Sequence, residues 1–209
     1  MITSVVDLRP VENPQQALIR LDIIPRDQHC ISRKNISDGE LKVMSRLRSG
    51  GFQAYLVGGA VRDLLLGGRP KDFDIATDAT PEAVTALFRN SRIIGRRFRI
   101  VHVRFGREII EVTTFRGHHD TKLNESQQDE KGGNHSRQSA SGLLLRDNVY
   151  GTLEEDAARR DLSVNALYYD SGKFEVFDHL HGLKDLENRT ICIIGIPEQR
   201  YTEDPVRML

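Results

Sequence analysis

The sequence predicts an α/β fold in which helices flank a mixed sheet of about five strands. Short apolar runs with a period of two alternate with segments of helical periodicity. Apolar residues make up 38% and charged residues 29% of the 209 residues, which suits one folded core. No run approaches the roughly 18 apolar residues of a membrane helix, and the first residues lack a secretory signal pattern. We therefore expect a cytoplasmic protein without a transmembrane segment.

The first predicted elements follow a proline-containing segment without sustained periodicity, so we assign residues 1–36 to an extension and residues 37–200 to the α/β domain. Two pairs, Ser37 with Glu40 and Thr152 with Glu155, fit the capping-box pattern of a helix start. The predicted order in the first half is a helix from Ser37 to Gly50-Gly51, a strand over 53–57, a helix after Gly58-Gly59, a strand over 71–77, a helix from Thr80, and a hairpin of strands 97–105 and 107–115.

The second half begins with residues 118–142, which have almost no apolar content and are expected to form a mobile loop. The predicted order after it is a helix over 152–167, a strand over 174–178, a helix over 182–189, a strand over 191–195 and a helix capped by Thr202. The last helix has no C-terminal cap. We interpret residues 201–209 as the start of a helical neck domain, in a chain that is a fragment of a longer protein.

Three carboxylates form the first candidate site. Asp72 and Asp74 alternate with apolar residues, and on one strand face their Cα atoms would lie about 6.6 Å apart. At that distance two charges repel by roughly 2.5 kcal/mol at an effective dielectric constant of 20, so a cation would stabilise them. Glu111, on a strand of the following hairpin, is predicted to converge on them. Oxygen ligands of this kind suit Mg²⁺, although an acidic surface ladder has the same pattern.

The second candidate feature is the Gly58-Gly59 turn between a strand and a helix. Glycines there let backbone N–H groups approach a phosphate closely. Arg62 follows one helical turn later and could donate to a triphosphate oxygen. The neighbouring Asp63 is expected to hold Arg62 in place.

Two further groups of polar residues are candidates for contact with a nucleotide or nucleic acid. Asp161 and Asn165 are four residues apart, which predicts one helix face, and Arg160 lies beside them. Seven arginines and no acidic residue occur between Arg89 and Arg107, although the whole chain has zero net charge. This excess favours a phosphate-rich ligand, or else a solvated arginine-rich strand.

Five segments together resemble one enzyme family. They are LVGGAVRDLLLG (56–67), KDFDIAT (71–77), EVTTFR (111–116), RRDLSVNAL (159–167) and EDPVRML (203–209). In this order and spacing they resemble the class II tRNA nucleotidyltransferase and poly(A) polymerase family, over about residues 23–209. Within it, the arginine-rich segment 93–103 is more similar to bacterial poly(A) polymerases than to CCA-adding relatives.

The resemblance implies a palm-like nucleotidyltransferase head followed by a helical neck. It implies that Asp72 and Asp74 bind two Mg²⁺ ions with help from Glu111, and that Gly58, Gly59 and Arg62 hold the triphosphate of ATP. It counts Asp161 among the catalytic residues with these carboxylates. The residues that it assigns to the sugar and the rest of the nucleotide site are Arg160, Asp161, Asn165 and Arg207. The residues expected to bind RNA or phosphate are Arg96, Arg97 and Arg99.

The activity that the resemblance implies is template-independent addition of AMP from ATP to RNA 3′ ends, in mRNA processing and decay. Two metal ions would assist the transfer. A CCA-adding or A-adding tRNA nucleotidyltransferase would use the same carboxylates, and a non-catalytic nucleotide- or RNA-binding module is a third hypothesis. Protein partners do not follow from the sequence.

Overall fold

An eight-stranded mixed sheet forms the centre of the structure, a computed structural model that describes residues 21–95, 98–117, 137–138, 144–146 and 149–203. The strands are β1 (Asp22–Ile24), β2 (Ala54–Val57), β3 (Asp74–Thr77), β4 (Ser91–Ile94), β5 (Ile100–Phe105), β6 (Glu108–Thr114), β7 (Arg137–Gln138), β8 (Leu144–Arg146), β9 (Leu167–Asp170) and β10 (Glu175–Asp178). The α-helices are α1 (Asp38–Ser49), α2 (Gly59–Leu65), α3 (Pro81–Leu87), α4 (Leu153–Ala158), α5 (Gly182–Glu187) and α6 (Pro197–Glu203). The predicted α/β class is confirmed, with eight strands in the main sheet rather than five.

The strand order brings distant parts of the chain together. The main sheet runs β1-β10-β9-β2-β3-β6-β5-β4, and β7 pairs with β8 separately. Strands β3 and β6 are parallel, whereas the other neighbours in the main sheet are antiparallel. Asp74 lies opposite Val57 on one side and opposite Glu111 on the other. The end of β2, the start of β3 and the middle of β6 therefore meet at one place.

The two faces of the sheet are covered to different extents. On the first face, Val43, Met44 and Leu47 of α1 pack in a core with Ile75 and Val112. On the second face, another core joins α4 to β2, β3, β9 and β10. Over β4, β5 and β6 the second face carries partly or fully exposed side chains, namely Arg92, His102, Arg104, Ile109 and Glu111. The second face is thus open beside the start of β3.

Only one of the two predicted capping boxes forms. The hydroxyl of Thr152 accepts from the Glu155 N–H at 3.3 Å, and the Glu155 carboxylate accepts from the Thr152 N–H at 2.8 Å. The Ser37 hydroxyl makes no bond to the backbone of α1 and donates to the carboxylate of Glu40 instead. The polar side chains at this helix start therefore satisfy each other.

The helix predicted over 152–167 is wrong beyond Ala158, where α4 ends. Leu162 is extended and forms an antiparallel bridge with Ile193, so its backbone pairs with a distant segment rather than within a helix. A 3₁₀ turn and β9 follow. The strand predicted over 191–195 is also wrong, because this segment contributes that isolated bridge and no strand of the sheet.

Residues 21–36, which the sequence analysis assigned to an extension, contribute to the sheet and the core. Strand β1 pairs with β10 at the sheet edge, and Ile31 and Ile36 are buried. A three-residue strand is too short to show a period of two, so the sequence pattern does not predict β1.

The last described helix begins earlier than predicted. Helix α6 starts at Pro197, where the missing N–H of proline has no cost, and Thr202 lies inside it, with its hydroxyl donating to the Glu198 carbonyl. Residues 204–209 and most of the predicted loop 118–142 lie outside the described residues. Within the described ranges, no helix has the length and apolarity that crossing a membrane requires.

Candidate active site

The three predicted carboxylates lie in one cleft. Asp74 is the first residue of β3, and Glu111 is its register partner on β6. The prediction of a strand over 71–77 was wrong at its start, because β3 begins at Asp74. Asp72 precedes the strand, so the two aspartates do not lie on one strand face. Asp72, Asp74 and Glu111 nevertheless line the same cleft of about 570 Å³, together with Glu40 and Glu108. We refer to this cavity as the acidic cleft.

The carboxylates in the acidic cleft repel one another. Partial burial raises the pKa of Asp74, and the neighbouring charges of Glu111 and Asp72 raise it further, while Arg160 acts to lower it. Burial and the Glu108 charge also raise the pKa of Glu40. A cation would relieve this repulsion. However, no three His, Cys, Asp or Glu side chains of the described residues are grouped closely enough to hold a metal ion.

The Gly58-Gly59 turn lies directly beside these carboxylates. It follows Val57, the register partner of Asp74. Gly58 has φ 73° and ψ −145°, a conformation that glycine adopts without strain. A side chain at Gly58 would also point toward the guanidinium of Arg160, whose Nη1 would lie 3.6 Å from the added Cβ. The turn therefore brings backbone without side chains next to the acidic cleft, together with Arg160 and Arg62.

Arg62 is held by a chain of polar contacts. Its Nε donates to Asp63 at 2.9 Å, which confirms the positioning role predicted for Asp63. Its Nη1 donates to the Asn165 side-chain oxygen at 2.8 Å, and Asn165 donates to Asp161 at 3.3 Å. The one-helix-face prediction for Asp161 and Asn165 was wrong, because a bend and a 3₁₀ turn separate them from α4. The turn still brings the two side chains into contact.

Arg160 is enclosed by two residues that the sequence analysis did not identify. Its Nε donates to the Tyr168 hydroxyl at 2.9 Å, and its Nη2 donates to Asp156 at 3.2 Å. The Tyr168 hydroxyl itself donates to Asp156 at 2.6 Å. Burial opposes the charged form of Arg160, but Tyr168 and Asp156 together raise its pKa. The i,i+4 spacing of Asp156 and Arg160 was the sequence signal that could have indicated this pair.

The predicted RNA-binding arginines are only partly described. Arg99 donates to Glu82 at 2.6 Å, whereas Arg96 and Arg97 lie outside the described residues. Arg207, predicted to contact the nucleotide, lies outside them as well. In the same region, the structure brings His102 of β5 opposite Glu111, with 3.1 Å between Nε2 and a carboxylate oxygen. His102 is not predicted as a site residue, because the strand register that pairs it with Glu111 cannot be derived from the sequence pattern.

Comparison with known proteins gives consistent matches. Residues 54–192 match the family described as the poly(A) polymerase head domain. The chain is 55% identical over 203 residues to poly(A) polymerase I of Escherichia coli O157:H7, covering 96% of this chain and 42% of the relative. It is 34% identical over 176 residues to a CCA-adding enzyme of Staphylococcus aureus strain Newman, covering 84% and 40%.

Solved structures agree with these matches. The Bacillus stearothermophilus CCA-adding enzyme in complex with CTP matches with a TM-score of 0.62 and 34% identity, covering 80% of this chain and 36% of that chain. The chain spans about 42% of the length of the poly(A) polymerase I relative. The match therefore covers less than half of that relative, which is longer than this chain.

Proposed function

Because the chain belongs to the family of poly(A) polymerase head domains, we propose that the full-length protein adds AMP from ATP to RNA 3′ ends without a template. The observation that carries the proposal is the 55% identity to poly(A) polymerase I, against 34% to a CCA-adding enzyme. The juxtaposed carboxylates, glycine turn and arginines support nucleotidyl transfer. A role in mRNA processing and decay in the cytoplasm belongs to this proposal.

The acidic cleft fits Mg²⁺ even without a cluster of three ligands. Mg²⁺ is held in such sites by one or two carboxylates, with the remaining oxygens from water and substrate phosphates. Asp72 and Asp74 would hold two such ions, and Glu111 would assist from β6. When bound, the metal supplies activation of the attacking 3′-hydroxyl and neutralisation of the leaving pyrophosphate. The shared cleft of Asp72, Asp74 and Glu111 supports cation binding here, as does the raised pKa of Asp74, which is caused first by burial and then by the neighbouring carboxylates.

The residues beside the glycine turn would bind the nucleotide. The backbone at Gly58 and Gly59 would approach the triphosphate, while Arg62 would donate to its oxygens. Asp161 and Asn165 would contact the sugar, and Arg160 would keep a fixed positive charge behind the phosphates. Arg207 is proposed to reach the nucleotide from the neck.

We expect Arg62→Ala to weaken ATP binding by the full-length protein by about tenfold or more, because charge-assisted hydrogen bonds contribute about 1.5–3 kcal/mol. Asp63→Asn retains the cation and loses only part of its support, so a smaller loss is expected. Isothermal titration calorimetry with ATP and Mg²⁺ measures both. Equal ATP affinity in wild type and Arg62→Ala would contradict the assignment of Arg62.

A CCA-adding or A-adding tRNA nucleotidyltransferase is the second candidate, favoured by the 34% identity to CCA-adding enzymes over most of this chain. The two candidates differ in nucleotide use. Single-nucleotide incubations of the full-length protein with a labelled RNA primer and Mg²⁺ separate them. The proposal predicts efficient repeated addition with ATP and little with CTP, whereas efficient CTP addition to a tRNA that lacks its 3′ end would favour the second candidate.

A further inference from the structure

A second cleft lies on the open face of the sheet, beyond the acidic cleft. It has a volume of about 360 Å³ between β4, β5 and the β5–β6 hairpin, and its walls include Arg92, His102, Arg104 and Arg107. No acidic side chain of the described residues lines it. Ile109, which is 56% exposed, lines both this cavity and the acidic cleft, so the two are neighbours. We call the second cavity the basic cleft.

The arginines of the basic cleft are available for a ligand. Arg92, Arg104 and Arg107 are exposed, and within the described part of the chain none of them forms an ion pair. The Nε of Arg104 donates to the Gly106 carbonyl at 3.2 Å, which fixes this side chain against the hairpin turn. Arg99 differs, because Glu82 already neutralises it. Three uncompensated cations around one cavity favour an anionic ligand.

The strand register connects the basic cleft to the reaction site. Arg92 lies opposite His102, His102 opposite Glu111, and Glu111 opposite Asp74, so the four form one row across β4, β5, β6 and β3. His102 contacts Glu111 through Nε2. Its Nδ1 is buried and has no hydrogen-bond partner among the described residues. The row therefore begins at the guanidinium of Arg92, continues through the imidazole of His102, and ends at the carboxylates of Glu111 and Asp74.

The two ends of this row suit the two substrates of the proposed reaction. Displacement at the α-phosphate is in line, so the attacking hydroxyl and the leaving pyrophosphate occupy opposite sides of the phosphorus. The Gly58 turn and Arg62, proposed to hold the triphosphate, lie on the β2 side of Asp74. The basic cleft lies on the other side, beyond β6. The basic cleft therefore lies on the side from which the RNA that carries the attacking hydroxyl would approach.

The composition of the basic cleft indicates which part of that strand it would contact. Single-stranded nucleic acid is bound through base stacking on aromatic rings and through cations along the phosphates. The cleft has the cations, and no Phe, Tyr or Trp of the described residues lines it. Resting on the proposed function, we propose that the basic cleft binds the phosphodiester groups next to the RNA 3′ end and so directs the 3′-hydroxyl toward Asp74 and Glu111.

Charge reversal tests this proposal in the full-length protein without requiring turnover. The probe is a short fluorescent oligoadenylate, titrated with wild type, the triple variant Arg92→Glu/Arg104→Glu/Arg107→Glu, and Arg46→Glu. Arg46 is an exposed arginine of α1, which packs on the opposite sheet face, and its guanidinium lies over the Phe88 ring. Arg46→Glu serves as the control for a charge reversal away from the basic cleft. We expect the triple variant to bind the RNA about tenfold more weakly, or weaker still, at low salt. We also expect its salt slope, the steepness with which the logarithm of the binding constant falls with the logarithm of the salt concentration, to be smaller by about 2, because each phosphate contact with a single strand contributes about 0.7.

A neutral linkage in the RNA locates the contact. Methylphosphonate in place of the linkages nearest the 3′ end is expected to weaken binding to wild type and Arg46→Glu but to have little further effect on the triple variant. Unchanged RNA affinity and salt slope in the triple variant would overturn the proposal. So would a loss of ATP affinity with unchanged RNA affinity, because the cleft would then bind the triphosphate. Failure of the proposed function would show separately, as RNA that is bound by wild type but never extended.

Discussion

Replacing Asp74 with asparagine is expected to reduce nucleotide addition by the full-length protein by roughly a thousandfold or more, because a neutral amide cannot bind Mg²⁺ as a carboxylate does. The fold is expected to persist. Burial and the charges of Glu111 and Asp72 raise the pKa of Asp74, so its ionised form is held against repulsion. Removing that charge relieves the repulsion, and stability should stay equal or increase while activity is lost.

Primer extension and urea denaturation of the same protein preparations measure the two effects of Asp74→Asn. Asp27→Asn is the matched control, because Asp27 is exposed and lies outside the acidic cleft. It should change neither activity nor the denaturation midpoint. Addition by Asp74→Asn at close to the wild-type rate would remove Asp74 from the proposed mechanism. A large loss of stability would instead indicate a structural role for its carboxylate.

Asp156→Ala is expected to have the largest effect on stability, with a loss of about 3 kcal/mol in the free energy of unfolding. The substitution would leave the partly buried guanidinium of Arg160 and the hydroxyl of Tyr168 without their shared acceptor. It would also remove the acceptor of the Arg116 backbone N–H. Because Arg160 lies beside Gly58 and acts on Asp74, nucleotide addition should fall as well.

Urea denaturation followed by circular dichroism measures the effect of Asp156→Ala. Asp156→Asn keeps one acceptor oxygen and should lose less stability. Glu187→Ala, at an exposed position of α5, should stay within about 0.5 kcal/mol of wild type. If Asp156→Ala were as stable as Glu187→Ala, the Arg160 network would not hold this part of the site together.

Local signals predicted several elements of the fold. The apolar run before Gly58-Gly59 and the Thr80-Pro81 start each correspond to an element of the structure, because short-range sterics and capping determine them. The hairpin at Gly106 was predicted for the same reason, and Gly106 has φ 62°. The eight-strand sheet was not predicted, since edge strands such as β1 are stabilised by partners far away in the chain.

Tertiary pairing explains what the sequence analysis missed at the site. The segment after Ala158 has helical composition, yet the helix ends there and Leu162 pairs with Ile193. His102 becomes a partner of Glu111 only through the β5–β6 register. Tyr168 contacts Asp156 from β9, a strand that the sequence pattern does not predict. Such contacts join elements whose separation in sequence gives no periodic signal.

The length of the product tests the central claim most directly. A labelled RNA primer is incubated with the full-length protein, Mg²⁺ and either ATP alone or ATP with CTP, and the products are separated on a denaturing gel. Template-independent polyadenylation predicts a ladder of long tails with ATP alone, and loss of the ladder in Asp74→Asn. Addition that stops after one to three nucleotides, or that requires CTP, would contradict the claim and assign the same carboxylates to tRNA end repair.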